Sequence, residues 1–245
     1  MKILKIPSPH FNERELPINT ILIHYTDMPT AKEALAWLSN PQSKVSSHYL
    51  IDEMGQVYQL VEEDKRAWHA GEGYWQGCTD LNSCSIGIEL ANPGHSHGYI
   101  PFPEAQIDAL LRLCVDIRTR WDILDSRILG HSDIAPRRKQ DPGHLFPWET
   151  LARAGLGLWP THSNKSKFPG LLRSKAEWGE RLGETPMEPR QSSLDITEDL
   201  AKIGYETVSP TSTLLAFQRH FQPHKVDGVP DYETLSVLYG LLKTF

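Results

Sequence analysis

The 245-residue sequence is poor in cysteine, in long apolar runs and in positive charge. There are three cysteines, Cys78, Cys84 and Cys114. Cys78 and Cys84 bracket "TDLNS" in an expected loop, at a spacing foreign to zinc knuckles, and Cys114 falls on an apolar helix face. Free thiols are the expectation, because disulfides are rare inside cells; a Cys78–Cys84 disulfide stays open as the alternative. No apolar run approaches the roughly 18 residues of a membrane span. With 25 Lys+Arg against 31 Asp+Glu, the formal charge is -6, which argues against nucleic acid as a partner. The opening "MKILKIPSPHFNERELP" breaks at Pro7 and Pro9, before any apolar stretch of the roughly 7–15 residues that a secretory signal needs. A cytoplasmic location is the expectation, with the periplasm or cell envelope as the alternative.

What is present is a soluble-type composition, 39% hydrophobic and 23% charged, patterned as strands mixed with helices. Ile18–Thr26, "INTILIHYT", reads as a strand buried on both faces. Thr30 caps a short helix over "AKEALAWL". "SSHYLIDEMGQVYQLV" reads as two strands joined by a turn at Met54-Gly55. "SIGIELA" (Ser85–Ala91) is another strand. Pro103 sits at the expected first position of a helix whose apolar face carries Ile107, Leu110, Leu111, Cys114, Val115 and Ile117. The strand "SRILGH" and a short helix from "PWETLARAG" follow. This order predicts an α/β fold with a mixed central β-sheet flanked by helices, plus a small C-terminal three-helix domain. The expected divisions are 1–160 for the main domain, 161–192 for a linker or wrap rich in Ser, Lys, Gly and Pro, and 193–245 for the helical domain. Gly204 is the expected end of the first tail helix, and Asp227-Gly228 a turn before the last. Phe217, Phe221 and Tyr239 are expected to form the core of the tail.

The chemistry concentrates at strand ends. His24 closes Ile21-Leu22-Ile23, and His131 closes Ile128-Leu129-Gly130. Asp141 follows on a loop that Pro136 and Pro142 stiffen and that Gly143 lets turn away. Two imidazoles and one carboxylate, with a fourth position open, match a catalytic zinc site of one ion per chain. Glu89, in the otherwise apolar "SIGIEL", is costly to place there unless it is paired or functional; it can take a proton from the attacking water and pass it to a leaving amine. Lys139, two residues before Asp141, can steady an oxyanion. The parts together describe amide hydrolysis. His48 reads as a buried hydrogen-bonding residue. Arg66, His69 and Asn82 are candidates for substrate contact, and a second metal at His95 and His97 is not expected.

In order, "ILIHYT", "SSHYLI", "AWHAG", "SIGIEL", "GHSDIAPRRKQDPG" and "FPW" resemble the zinc-dependent N-acetylmuramoyl-L-alanine amidases of the AmpD/AmiD type, over roughly Ile18 to Pro160. The resemblance implies that His24, His131 and Asp141 bind zinc, and that Glu89 and Lys139 assist catalysis. It implies cleavage of the amide between N-acetylmuramic acid and L-alanine in peptidoglycan or in anhydro-muropeptides, and the fold shared with peptidoglycan recognition proteins. Ser83-Cys84 depart from the residues that relatives often carry there. Through "LLAFQRHF" and "VDGVPDYETL" the tail resembles the peptidoglycan-binding helical domain. The rival reading is a module that binds the cell wall without cleaving it; such modules typically lose a metal ligand, and all three are present here. Polymeric wall and small soluble muropeptide both remain open as the preferred substrate.

Overall fold

The structure, a computed structural model, describes residues 1–160 and 193–244. The expected linker, 161–192, lies outside the described residues. Within them the chain forms β1 (Ile3–Lys5), β2 (Phe11–Glu13), β3 (Thr20–Tyr25), α1 (Ala31–Leu38), β4 (Tyr49–Ile51), β5 (Val57–Gln59), β6 (Lys65–Ala67), α2 (Leu81–Cys84), β7 (Ser85–Leu90) and α3 (Gly94–His97). It continues with α4 (Glu104–Arg118), β8 (Ile128–Gly130), α5 (His131–Ile134) and α6 (Trp148–Arg153). The tail holds α7 (Ser193–Ile203), α8 (Pro210–Phe221) and α9 (Tyr232–Leu242). No helix of the described residues is long and apolar enough to cross a membrane.

Six strands form one sheet in the order β1-β5-β4-β7-β3-β8. β4 and β5 run antiparallel, as a hairpin across Met54-Gly55 requires, and the other pairings are parallel. β2 and β6 pair separately. β3 is buried along its whole length, as its apolar run predicts for a central strand covered on both faces. Because side chains alternate, Ile21, Ile23, Ile86 and Ile88 face α4 and pack on Ile107, Leu110, Leu113, Cys114 and Ile117. Leu22 and Leu129 face the other way. They join Trp75 and Leu81 in a cluster that also contains Ile196, Leu200, Tyr205, Phe217 and Leu238 of the tail. The three tail helices thus lie against the sheet and share its second core.

Some expectations shift. The helix begins at Glu104, and Pro103 is the extended residue before it. Val115 is 53% exposed, because the inner stripe of α4 runs through Ala109, Leu113 and Cys114 instead. Tyr239 is exposed while Val237, Leu238 and Leu241 face inward; at ~100° per residue, position 239 is carried off that face. Phe217 and Phe221 do lie in the core. The residues between Cys78 and Cys84 end in the helical turn α2, where a loop is expected; all three cysteines are free, and the Cys78 and Cys84 sulfurs lie 3.6 Å apart.

Candidate metal centre and active site

The alternation that sorts the core also assembles the site. In the register of β3 with β7, Leu22 stands beside Gly87 and His24 beside Glu89. His24 and Glu89 therefore share the sheet face that carries Leu22 and Leu129, at the C-terminal ends of adjacent parallel strands, where open α/β sheets place their ligands. β8 runs parallel on the other side of β3, with Gly130 opposite Ile23. His131 is the first residue of α5, just past the strand end. Ser132 N–H donates to the Asp141 carbonyl at 2.8 Å, which brings the loop back on itself. Gly130 permits this return, since a Cβ there would meet Pro142 Cδ at 2.6 Å.

Three donor atoms converge. His24 Nδ1 lies 2.9 Å from His131 Nδ1 and 3.1 Å from Asp141 Oδ2, and His131 Nδ1 lies 3.0 Å from that same oxygen. All three residues are buried, and among the described residues they form a group that could hold a metal ion. Each imidazole has its other nitrogen engaged. His131 Nε2 meets the Ala70 carbonyl at 2.9 Å, and His24 Nε2 meets His69 Nδ1 at 3.1 Å. Fixing the far nitrogen in this way orients a ligand and sets its tautomer. The donor set and its supports fit a zinc ion.

The electrostatics agree with ligation. Burial and the neighbouring His131 lower the His24 pKa to about 4, so its ring is neutral at pH 7. Burial alone would raise Asp141, but the two imidazoles outweigh it and hold the carboxyl well below the usual range. His69 is lowered well below the ordinary histidine value, first by burial and then by His24 and His48. Glu89 goes the other way: burial and the charge of Asp141 raise it well above the ordinary carboxyl value, and Lys139 opposes them. Glu89 Oε2 is buried and has no hydrogen-bond partner among the described residues. Lys139 is half-buried, its charge is felt by both His24 and Glu89, and its ammonium makes no hydrogen bond or ion pair among the described residues.

The remaining candidates hold the frame. Asn82 Oδ1 accepts the N–H groups of His69 and Ala70, at 2.9 and 2.8 Å, the two residues whose ring and carbonyl meet His24 and His131. Arg66 is engaged with Asp80 and Asn12. His48 Nδ1 accepts the Gly87 N–H, and its Nε2 faces the Lys65 carbonyl. The His69 ring lies over Gly87, where a Cβ would come within 2.5 Å of it. His95 meets the Tyr25 hydroxyl at 2.6 Å. The sequence reading missed that His69 and Ala70 back His24 and His131; the signal was the compact "AWHAG" together with a glycine inside "SIGIEL".

The family model for N-acetylmuramoyl-L-alanine amidase matches residues 14–144. The chain is similar to the N-acetylmuramoyl-L-alanine amidase AmiD of Escherichia coli, at 37% identity over 93% of this chain and 83% of that protein. It is 35% identical to the 1,6-anhydro-N-acetylmuramyl-L-alanine amidase AmpD of Haemophilus influenzae, over 59% of this chain and 88% of AmpD. Among solved structures, it matches E. coli AmiD in complex with the substrate anhydro-N-acetylmuramic acid-L-Ala-D-gamma-Glu-L-Lys, with a TM-score of 0.78 at 36% identity, covering 96% of this chain and 93% of that one. Pseudomonas aeruginosa AmpDh3 in complex with anhydromuramic pentapeptide gives a TM-score of 0.78 at 31% identity, covering 98% and 95%.

Proposed function

The chain belongs to the N-acetylmuramoyl-L-alanine amidase family, and from that membership we propose how its own residues carry the reaction. The protein is a hydrolase that cleaves the amide between N-acetylmuramic acid and L-alanine in peptidoglycan-derived material. In our reading His24, His131 and Asp141 hold one zinc ion. When bound, zinc supplies a Lewis acid that polarises the carbonyl and makes water a nucleophile near neutral pH.

Glu89 carries the proton traffic. It stands beside His24 in the register, with a raised pKa and a buried oxygen that has no partner among the described residues. A carboxylate so placed takes the proton of the attacking water and delivers it to the nitrogen of L-alanine as the amide breaks. Lys139, whose ammonium has no hydrogen-bond or ion-pair partner among the described residues, offers it to the oxyanion of the tetrahedral intermediate. His69 and Asn82 act one step back: the ring of His69 steadies His24, and Asn82 fixes the backbone of His69 and Ala70. Their hydrogen bonds favour support over direct substrate contact, and Arg66, engaged with Asp80, is read the same way. Two of the similar structures carry anhydromuramyl peptides, which supports soluble anhydro-muropeptides as substrates of this chain.

The observation that carries the reading is the triangle of His24, His131 and Asp141 with Glu89 beside it. The test is release of free stem peptide from anhydro-muropeptide and from intact sacculi, before and after chelation. Activity is expected to vanish with the metal and return with zinc. Glu89→Gln is expected to keep one zinc per chain and lose about 10²–10⁴-fold in kcat. Full turnover without metal refutes the zinc reading, and an unimpaired Glu89→Gln removes Glu89 from the mechanism.

A further inference from the structure

α5 is a single turn, His131–Ile134, with every residue buried. One turn of helix does not hold itself together, yet it begins with a ligand of the proposed metal. What holds it is Asp133, which is fully buried. Its carboxylate receives three donors. Gly130 N–H reaches Oδ2 at 2.7 Å and ties the residue before the ligand to the turn. The other two donors come from the tail. Tyr205 O–H donates to Oδ1 at 2.7 Å, and His220 Nδ1 lies 2.7 Å from Oδ2. Since the carboxylate accepts, Nδ1 carries the hydrogen.

Both tail residues are themselves fixed. Tyr205 is 1% exposed and His220 3%. Tyr205 packs edge-on against Trp75, and the His220 ring stacks on Trp148 at 3.7 Å between centroids and 14° between planes. Trp148 in turn lies against Gly130, where a Cβ would meet its ring at 3.2 Å. A second tie joins the same loop to the tail: Arg137 pairs with Glu206 at 2.9 Å.

We propose that Tyr205 and His220 are positioning residues for the metal centre, acting on His131 through Asp133, so that the helical tail completes the zinc site that the α/β unit begins. This rests on the reading of His131 as a zinc ligand. Three donors around one carboxylate fix the rotation of Asp133. Asp133 fixes Gly130 and the turn, and the turn aims the imidazole. With either tail donor gone, one carboxylate oxygen loses a partner in a dry site, and the turn is free to rotate.

The test uses the full chain with Tyr205→Phe, His220→Leu and both together, beside His220→Asn, whose amide nitrogen can stand where Nδ1 stands. Leu238→Ala, which opens the tail core from α9, a helix that gives Asp133 none of its three donors, controls for loss of stability. Zinc affinity is measured by chelator competition, ligand geometry by the visible spectrum of the cobalt-substituted protein, and kcat separately from KM. The paired variant is expected to bind zinc about 10–100-fold more weakly, the size of effect seen when the outer support of a ligand is lost. It should also alter the cobalt bands and lose kcat with KM little changed. His220→Asn should recover most of the affinity that His220→Leu loses, and Leu238→Ala should melt at lower temperature with parental zinc affinity. Tyr205→Phe, which removes a single oxygen, gives the answer if the paired variant does not fold. Parental zinc affinity and cobalt spectrum in the variants, or equal losses in Leu238→Ala, overturn the proposal while the zinc site stands. A parent chain that binds no zinc overturns both.

Discussion

The histidines around the centre divide their two nitrogens between different jobs, and the division fixes what each can do. His24 and His131 turn Nδ1 to the metal position and Nε2 to a support. His48 turns neither there: Nδ1 takes the Gly87 N–H and Nε2 serves the Lys65 carbonyl. Its burial, with the Arg14 guanidinium beside it, lowers its pKa to about 3. In an unfolded chain the same ring titrates near 6.5. Above that pH it is neutral in both states, and its contribution is complete. As the pH falls below 6.5 the unfolded chain takes up a proton that the folded ring refuses, so stability drops, with a slope from this group approaching about 1.4 kcal/mol per pH unit until the pH nears 3. Urea titrations at pH 7, 6 and 5 should show this loss in the parent and a shallower one in His48→Asn; equal slopes would assign acid sensitivity elsewhere. At this scale the meeting of His24, His131 and Asp141 was legible in the sequence, because a histidine ending an apolar run has few places to go. The Asp133 contacts were not: Tyr205 and His220 lie 72 and 87 residues away from it, and no local pattern announces such a pairing.

Among the elements, β7 does the most for the site. Its outward alternation delivers Glu89, its glycine leaves room for His69, and its amide at Gly87 holds His48. Gly87→Ala puts a methyl group 2.5 Å from the His69 ring. The ring must move, and His24 Nε2 loses its partner. The expected result is about 1–3 kcal/mol of overpacking cost and a 10–100-fold loss of zinc affinity, read by urea unfolding and chelator competition; a variant with parental values would show that the ring shifts without consequence. β3, β7 and α1 were readable because six to eight residues carry a clear period or cap. β1, β2 and β6 were not, since each is three residues long and partly exposed, and short edge strands are chosen by their partners rather than by propensity. The same limit explains Val115 and Tyr239: a helical period says that one face is buried, but the neighbour decides which of two adjacent apolar positions lies inside.

Across the whole molecule, the second face of the sheet is finished by the last fifth of the chain. Composition suggested a tail set apart, because the break near Pro160 is visible and the contacts made beyond it are not. Leu22 and Leu129 of the sheet, Ile134 and Ala135 of the ligand loop, and Phe217 and Leu238 of the tail belong to one apolar cluster. Phe217 is fully buried there, so Phe217→Ala should cost about 3–5 kcal/mol. With the core shared, calorimetry should show a single unfolding transition whose midpoint moves as a whole. A separate early transition in the variant, with the rest unchanged, would mark the tail as independent.

The chain order of the Asp133 clamp has a bearing on biosynthesis. The ribosome delivers His24, His131 and Asp141 well before Tyr205 and His220, so a nascent chain holds the whole candidate metal set while the turn behind His131 still lacks its tail donors. Domains generally fold as units, N-terminal first during synthesis, but here the clamp closes only once α8, which carries His220, has been made. A chain cut before Tyr205 would keep His24, His131 and Asp141 but lack both tail donors to Asp133.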